Sequence, residues 1–252
     1  MTLLITGGAS GIGAATARLA AARGHKVAIN YRSREAEAQK VVADITAKGG
    51  QVVALPADVA READIGRLFD ATEKALGPIT HLVNSAGISA SARVEDFDAA
   101  VLARLFAVNT VGLMLCCREA ARRMSTRRGG KGGVIVNVSS MAATIGGRPG
   151  VSAYAASKAA VDSFTMGFAK EVATEGIRAV SLRPGMIETA MTERALADRE
   201  VRAAIESTIA MGRVGQAEEI ANAILWLLSD EASFISGVTL DASGGGFVFG
   251  KR

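Results

Sequence analysis

The chain has 252 residues, of which 49% are hydrophobic and 21% charged, and its 29 basic against 25 acidic residues leave a formal net charge of +4. That length holds one large α/β domain or two small ones and buries a full core without covalent staples. So mild a basic excess points to no nucleic acid, and two adjacent cysteines, Cys116 and Cys117, build neither a disulfide scaffold nor a cysteine metal site.

From the start of the chain, MTLLITGG has no basic flank and too short an apolar run for a signal peptide. No stretch approaches the ~18 apolar residues of a membrane span, so a cytoplasmic protein with no membrane partner is expected. Short apolar runs predict strands at 2–6, 26–31, 51–56, 81–85, 133–140, 177–184 and 237–243. They are continuous in Val, Ile and Leu, as strands covered on both faces are. Helical patterns fall between them, near 12–23, 34–48, 62–76, 96–127, 152–175 and 216–229. The alternation runs from end to end without a break in composition. Residues 1–252 are therefore read as one α/β domain, a Rossmann fold with a doubly wound seven-stranded parallel sheet and helices on both faces.

Ligands of such a sheet gather at the carboxyl ends of its strands. His25 and His81 fall at the opposite ends, at strand starts. A histidine triad and a zinc site are thereby disfavoured, and no metal is expected.

The segment TGGASGIG, residues 6–13, follows the first strand and opens the first helix. Gly7, Gly11 and Gly13 let the backbone turn sharply and come close to a ligand, and the free N–H groups of the helix start face an anion, most simply a pyrophosphate. The spacing is G-x-x-x-G-x-G, and a tight strand-to-helix connection alone would also explain it. At the end of the second strand an acidic residue would hold the 2′-hydroxyl of NAD and a basic one the 2′-phosphate of NADP. Here the chain reads INYRSR, with no acid before Glu35. Arg32, beside Ser33, favours NADP(H) over NAD(H).

Tyr154 and Lys158 lie four apart in YAASK, on one face of a predicted helix. A phenol of pKa ~10 is too weak an acid for neutral pH, and a neighbouring ammonium would lower that value. With the glycine turn and the strand ends, this pair resembles the short-chain dehydrogenase/reductase family. The resemblance covers nearly the whole chain. It includes ADV (57–59), NSAG (84–87), VNTVG (108–112), NVSS (137–140), RPGMIET (183–189) and VTLDASGG (238–245).

The resemblance implies a site of four catalytic residues. Tyr154 would be the acid and base, Lys158 would tune it and bind the nicotinamide ribose, Ser140 would hold the substrate oxygen, and Asn109 would hold a relay water. It implies further that Gly7, Ser10, Gly11, Ile12 and Gly13 line the pyrophosphate. Tyr31, Arg32 and Ser33 would stand at the end of the second strand. Asp58 would accept from the adenine amino group with Val59 beside the ring, and Asn84, Ala86 and Gly87 would line the adenosine ribose. Pro184, Gly185, Ile187 and Thr189 would hold the nicotinamide. Two departures stand out: Ser85 replaces the family's frequent second Asn, and Ser10 stands where many NADP-preferring members carry a basic residue.

Substrate contacts fall to the least patterned segments, 88–95, 141–151 and a lid near 190–212. Arg148 could meet an anionic substrate or simply be solvated. The basic run at 122–133 precedes the fifth strand, away from the site, and reads as a solvated helix end. Phe247, Val248 and Phe249 in the tail are expected to be buried against another subunit, and the resemblance implies a homotetramer. The expected activity is NADP(H)-dependent hydride transfer between nicotinamide and a small carbonyl or secondary-alcohol substrate. 3-Oxoacyl-carrier-protein reductase and sugar dehydrogenase remain open, as does an NADP(H) sensor without turnover.

Overall fold

The computed structural model describes residues 1–246; the tail residues Phe247, Val248 and Phe249 lie outside them. Seven parallel strands form one sheet. In chain order they are β1 (Thr2–Thr6), β2 (Lys26–Tyr31), β3 (Val52–Pro56), β4 (Ile79–Asn84), β5 (Gly133–Val138), β6 (Ile177–Pro184) and, after a two-stranded insertion, β9 (Thr239–Ala242). Their spatial order is β3-β2-β1-β4-β5-β6-β9, so the direction of winding reverses between β1 and β4. The insertion is β7 (Ile187–Glu188) paired with β8 (Gly215–Gln216), two residues each and not foreseen from the sequence.

The helices are α1 (Gly11–Ala22), α2 (Glu35–Thr46), α3 (Glu62–Leu76), α4 (Ala99–Phe106), α5 (Leu113–Met124), α6 (Ala142–Ile145), α7 (Ser152–Val172), α8 (Glu193–Leu196), α9 (Arg199–Glu206) and α10 (Ala217–Leu228). Alternation along each strand sends side chains to opposite faces. Leu3 and Ile5 of β1 join a core beneath α1, α2 and α10, while Leu4 joins a second core beneath α3, α5 and α7. Both faces of the sheet are thus buried, which explains the continuous apolar runs. A third, small cluster of Leu196, Ile205, Ile209 and Val214 closes the segment between β7 and β8 on itself, with Met186 packed against it.

Three expectations are corrected. β4 begins at Ile79, so His81 is the third residue of the strand rather than its start. The helix expected over 96–127 is interrupted: Ala107–Gly112 is a π-helical turn between α4 and α5. Counted through that turn, Ala99–Met124 is long and apolar enough to cross a membrane by length and composition, which the sequence reading denied. Its apolar residues have a different explanation, since Leu113, Cys116, Cys117, Ala120 and Met124 pack against the sheet. In the basic run, Arg122 pairs with Glu119, Arg123 with Glu119 and Asp70, and Arg127 with Glu175, so these charges are paired within the fold.

Candidate active site

β1 delivers the glycine turn to the carboxyl edge of the sheet beside the winding reversal. Gly7 and Gly11 both take left-handed backbone, φ 68° and 52°, which a side chain disfavours. A Cβ on Gly7 would stand 2.7 Å from the Ala86 Cα, inside any carbon contact distance, and one on Gly13 would collide with the Gly7 carbonyl oxygen. A Cβ on Gly11 would stand 3.1 Å from Thr189 Cγ2. The turn and the segment after β6 therefore face one another across a narrow crevice. Ser10 is the N-cap of α1 but makes no side-chain cap bond, and no acidic residue stands in the first turn. The helix thus presents uncapped amides and the positive end of its dipole beside a backbone stripped of side chains. That is the environment a pyrophosphate fits.

Asn30, a polar residue inside an apolar strand, was not singled out from the sequence. Its amide nitrogen donates to the Ala57 carbonyl at 2.9 Å and the Tyr31 carbonyl at 3.2 Å, and its amide oxygen accepts from the Gly7 N–H at 3.4 Å, tying the turn to β2 and β3. Arg32 and Ser33 are exposed just past β2. Tyr31 is different: its ring packs in the core beneath α1 and α2, and its carbonyl accepts from the Ala57 N–H and the Asn30 side-chain amide.

Asp58 stands beyond the end of β3. Arg104, which no motif indicated, holds its carboxylate in a two-pronged fork, Nη1 to Oδ2 at 2.9 Å and Nη2 to Oδ1 at 3.0 Å. Partial burial pushes the Asp58 carboxyl up. The hydrogen bonds from Arg104 and the Ala60 N–H, with the charges of Arg104 and Arg32, outweigh it and hold the pKa below the usual carboxylate range. Val59 is buried against the π-helical turn. Asn84 turns into the core, where its amide donates to Asn137 Oδ1 at 2.9 Å and toward Cys117 Sγ at 3.4 Å. Its side chain is thus engaged within the core. Ala86 and Gly87 follow on the partly exposed loop.

Ser140 lies two residues past β5, and Tyr154 and Lys158 occupy successive turns of α7 on one face. The Ser140 side chain lies close enough to the Tyr154 hydroxyl to act on its acidity, and Lys158 Nζ is 6.0 Å from the centre of the tyrosine ring. Ser139 turns the other way and donates to the Lys158 carbonyl at 3.1 Å. Lys158 is only 5% exposed and donates to the Val138 carbonyl at 2.8 Å. Burial lowers its pKa to about 8, with the Asp162 carboxylate one turn further on opposing the shift. Burial also raises the Tyr154 phenol above its ordinary value, and the Ser140 side chain opposes that rise. The lowered phenol expected from the sequence is therefore not what this geometry holds, because desolvation of the phenolate outweighs its stabilisation.

Asn109 lies in the π-helical turn, fully buried. Its amide oxygen accepts from the Ile88 N–H at 2.9 Å, and its nitrogen donates to the Ile88 carbonyl at 2.9 Å and Ser157 Oγ at 3.1 Å. It clamps the loop after β4 to α7 beneath the tyrosine. A Cβ on Gly87 would stand 3.5 Å from both Lys158 Nζ and Asn109 Oδ1, so the loop after β4 lies directly against both side chains.

Across the crevice, Pro184 and Ile187 are buried and the Gly185 N–H bonds the Ala242 carbonyl at 3.0 Å. Thr189 is braced by Thr192, whose hydroxyl accepts from the Thr189 N–H at 3.0 Å and donates to the Ile187 carbonyl at 2.6 Å. Asp162 was also missed. It accepts from Ser181 Oγ at 2.6 Å and Arg183 Nε at 2.8 Å, linking α7 to β6. The regular four-residue step from Tyr154 through Lys158 to Asp162 was the available signal.

Fold and site together define an oxidoreductase that acts on CH–OH groups with a nicotinamide dinucleotide. The comparisons agree. A family model described as Enoyl-(Acyl carrier protein) reductase matches residues 7–246. The chain is 44% identical to the uncharacterized oxidoreductase YgfF of Escherichia coli K12, over 96% of this chain and 98% of that one. It is 39% identical to the 3beta-hydroxysteroid dehydrogenase 1 of Eggerthella lenta, over 99% and 97%. A crystal structure of a dehydrogenase/reductase from Sinorhizobium meliloti 1021 superposes with a TM-score of 0.90 at 36% identity, covering 97% of this chain and 94% of that one. The chain belongs to the short-chain dehydrogenase/reductase family.

Proposed function

We propose that the protein is an NADP(H)-dependent carbonyl reductase and alcohol dehydrogenase with Tyr154 as its acid and base. One observation carries the reading: the Tyr154 hydroxyl lies beside Ser140 while a buried Lys158 ammonium on the same helix face lies 6.0 Å from its ring. The nicotinamide, when bound, supplies or accepts the hydride. Ser140 holds the substrate oxygen against the phenol. Tyr154 gives that oxygen its proton in reduction and takes it back in oxidation. Burial keeps the phenol protonated and ready to donate. Lys158 uses one N–H on Val138; the other two can steady the phenolate left behind and bind the ribose hydroxyls. Asn109, besides its clamp on Ile88, would position a water behind the lysine.

Arg32, exposed past β2 with no acid before Glu35, supports NADP(H) over NAD(H). The Eggerthella relative's name supports a secondary alcohol or ketone as substrate; acyl-carrier-protein thioesters and sugars remain alternatives. The segment 190–212 would close over the site, excluding water. Assembly as a homotetramer is supported by exposed apolar residues, among them Phe234 beside edge strand β9 and Val101 and Val111 on the α4–α5 helix. A reducing, cytoplasmic setting is consistent with the two buried free thiols.

Tyr154→Phe is expected to lower kcat for carbonyl reduction by ~10²–10⁴-fold while the calorimetric Kd for NADPH stays the same. Reduction at the unaltered rate would overturn the reading. Tight NADPH binding with no carbonyl turned over by the unaltered protein would make it a sensor instead.

A further inference from the structure

The Arg104–Asp58 fork joins residues 46 apart in the chain and serves no core. Their side chains are 34% and 20% exposed, and an ion pair so placed contributes little stability. Its geometry is nevertheless specific. A carboxylate offers about four acceptor positions. On Asp58, Oδ1 takes the Arg104 Nη2–H and the Ala60 N–H, each at 3.0 Å, and Oδ2 takes Nη1–H at 2.9 Å. One acceptor position is left, on Oδ2. The pair also sits beside the end of β2. Tyr31 and Pro56 are register partners, so Arg32 and Asp58 leave adjacent strand ends together, and Arg32 contributes to the electrostatics of the Asp58 carboxylate.

An uncompensated carboxylate at this place would repel any phosphate drawn to Arg32. We propose that Arg104 is a positioning residue that sets dinucleotide selectivity. Its guanidinium holds Asp58 with a single acceptor position free for a donor such as the exocyclic amine of adenine, and it cancels the charge that would otherwise oppose a 2′-phosphate at Arg32. Arg104 acts through Asp58 and need not touch the cofactor. The inference rests on the functional reading above and adds a residue to the same site.

The test compares calorimetric Kd values for NADPH and NADH in the unaltered protein, Arg104→Met, and Arg104→Met combined with Asp58→Asn. Arg104→Met is expected to weaken NADPH binding about tenfold and NADH about threefold or less, because the freed carboxylate meets the extra phosphate only in NADPH. Adding Asp58→Asn removes that charge and should return the NADPH-to-NADH ratio to its original value. Equal Kd values in Arg104→Met and the unaltered protein would overturn the inference alone. So would a loss shared equally by both dinucleotides that Asp58→Asn does not relieve, the mark of a merely structural residue. Failure of the unaltered protein to bind either dinucleotide would overturn the functional reading, and this inference with it.

Discussion

Lys158 carries its charge in a place that disfavours charge. Its folded pKa is depressed from 10.5 to about 8 by burial. Below pH 8 the lysine is protonated in folded and unfolded chains alike, and the folded state bears the full penalty. Between pH 8 and 10.5 the folded chain sheds the proton first, so the penalty fades as pH rises. Lys158→Met is therefore expected to raise stability at pH 7 by ~1–3 kcal/mol, read by urea unfolding, while carbonyl reduction collapses. The gain should shrink above pH 8; an unchanged or lower midpoint at pH 7 would contradict it. At this scale the tyrosine, the lysine and the glycines were legible because each acts at short sequence spacing. Arg104, Asn30 and the inward turn of Asn84 were not. Their partners are brought together only by the sheet: Asn84 meets Asn137 53 residues away.

The interrupted helix shows what a single element can hide. The sequence predicts one continuous helix over 96–127, and residues 99–124 carry no breaker but Gly112. The reason for the interruption is tertiary. A Cβ on Gly112 would run into the Val59 carbonyl oxygen and come to 3.0 Å from the Ala107 carbonyl oxygen, so the π-helical turn lies directly against the loop after β3. The turn in turn sets Asn109 beneath the tyrosine. Because the atoms it would strike are backbone, Gly112→Ala is expected to cost ~1–3 kcal/mol or more, measured by denaturant unfolding, with kcat falling alongside it as the turn is displaced. Stability within ~0.5 kcal/mol of the unaltered protein would mean that the loop yields. The seven strands, by contrast, were readable because burial on both faces leaves a continuous apolar signature, whereas β7 and β8 are too short to leave any pattern.

Across the whole molecule, chemistry and acid sensitivity lie at opposite ends of the sheet. His81 is buried, with Nδ1 2.8 Å from Thr80 Oγ1 and Nε2 3.3 Å from the Leu228 carbonyl, and its ring meets His25 edge-on at 5.7 Å. Burial first, then the His25 charge, lower its pKa from 6.5 to about 4. Its contribution to stability is intact above the unfolded value of 6.5 and is lost as pH falls through 4, because the unfolded chain takes the proton first. Urea unfolding should therefore show stability declining from pH 6.5 toward pH 4 by up to ~3 kcal/mol, beyond the decline shown by His81→Gln. Parallel pH profiles of the two proteins would refute the assignment. The sorting of strand ends into reactive and structural edges was legible from the sequence. That the two histidines touch was not, since 56 residues separate them in the chain.

The segment between β7 and β8 closes a small apolar cluster on itself and is fastened to its surroundings by Met186, by the Arg202 fork on Glu188 and by the Met211 N–H on the Gly244 carbonyl. Its residues are chosen chiefly by one another. A packing change inside such a cassette is therefore expected to leave the seven-stranded sheet and its two cores undisturbed.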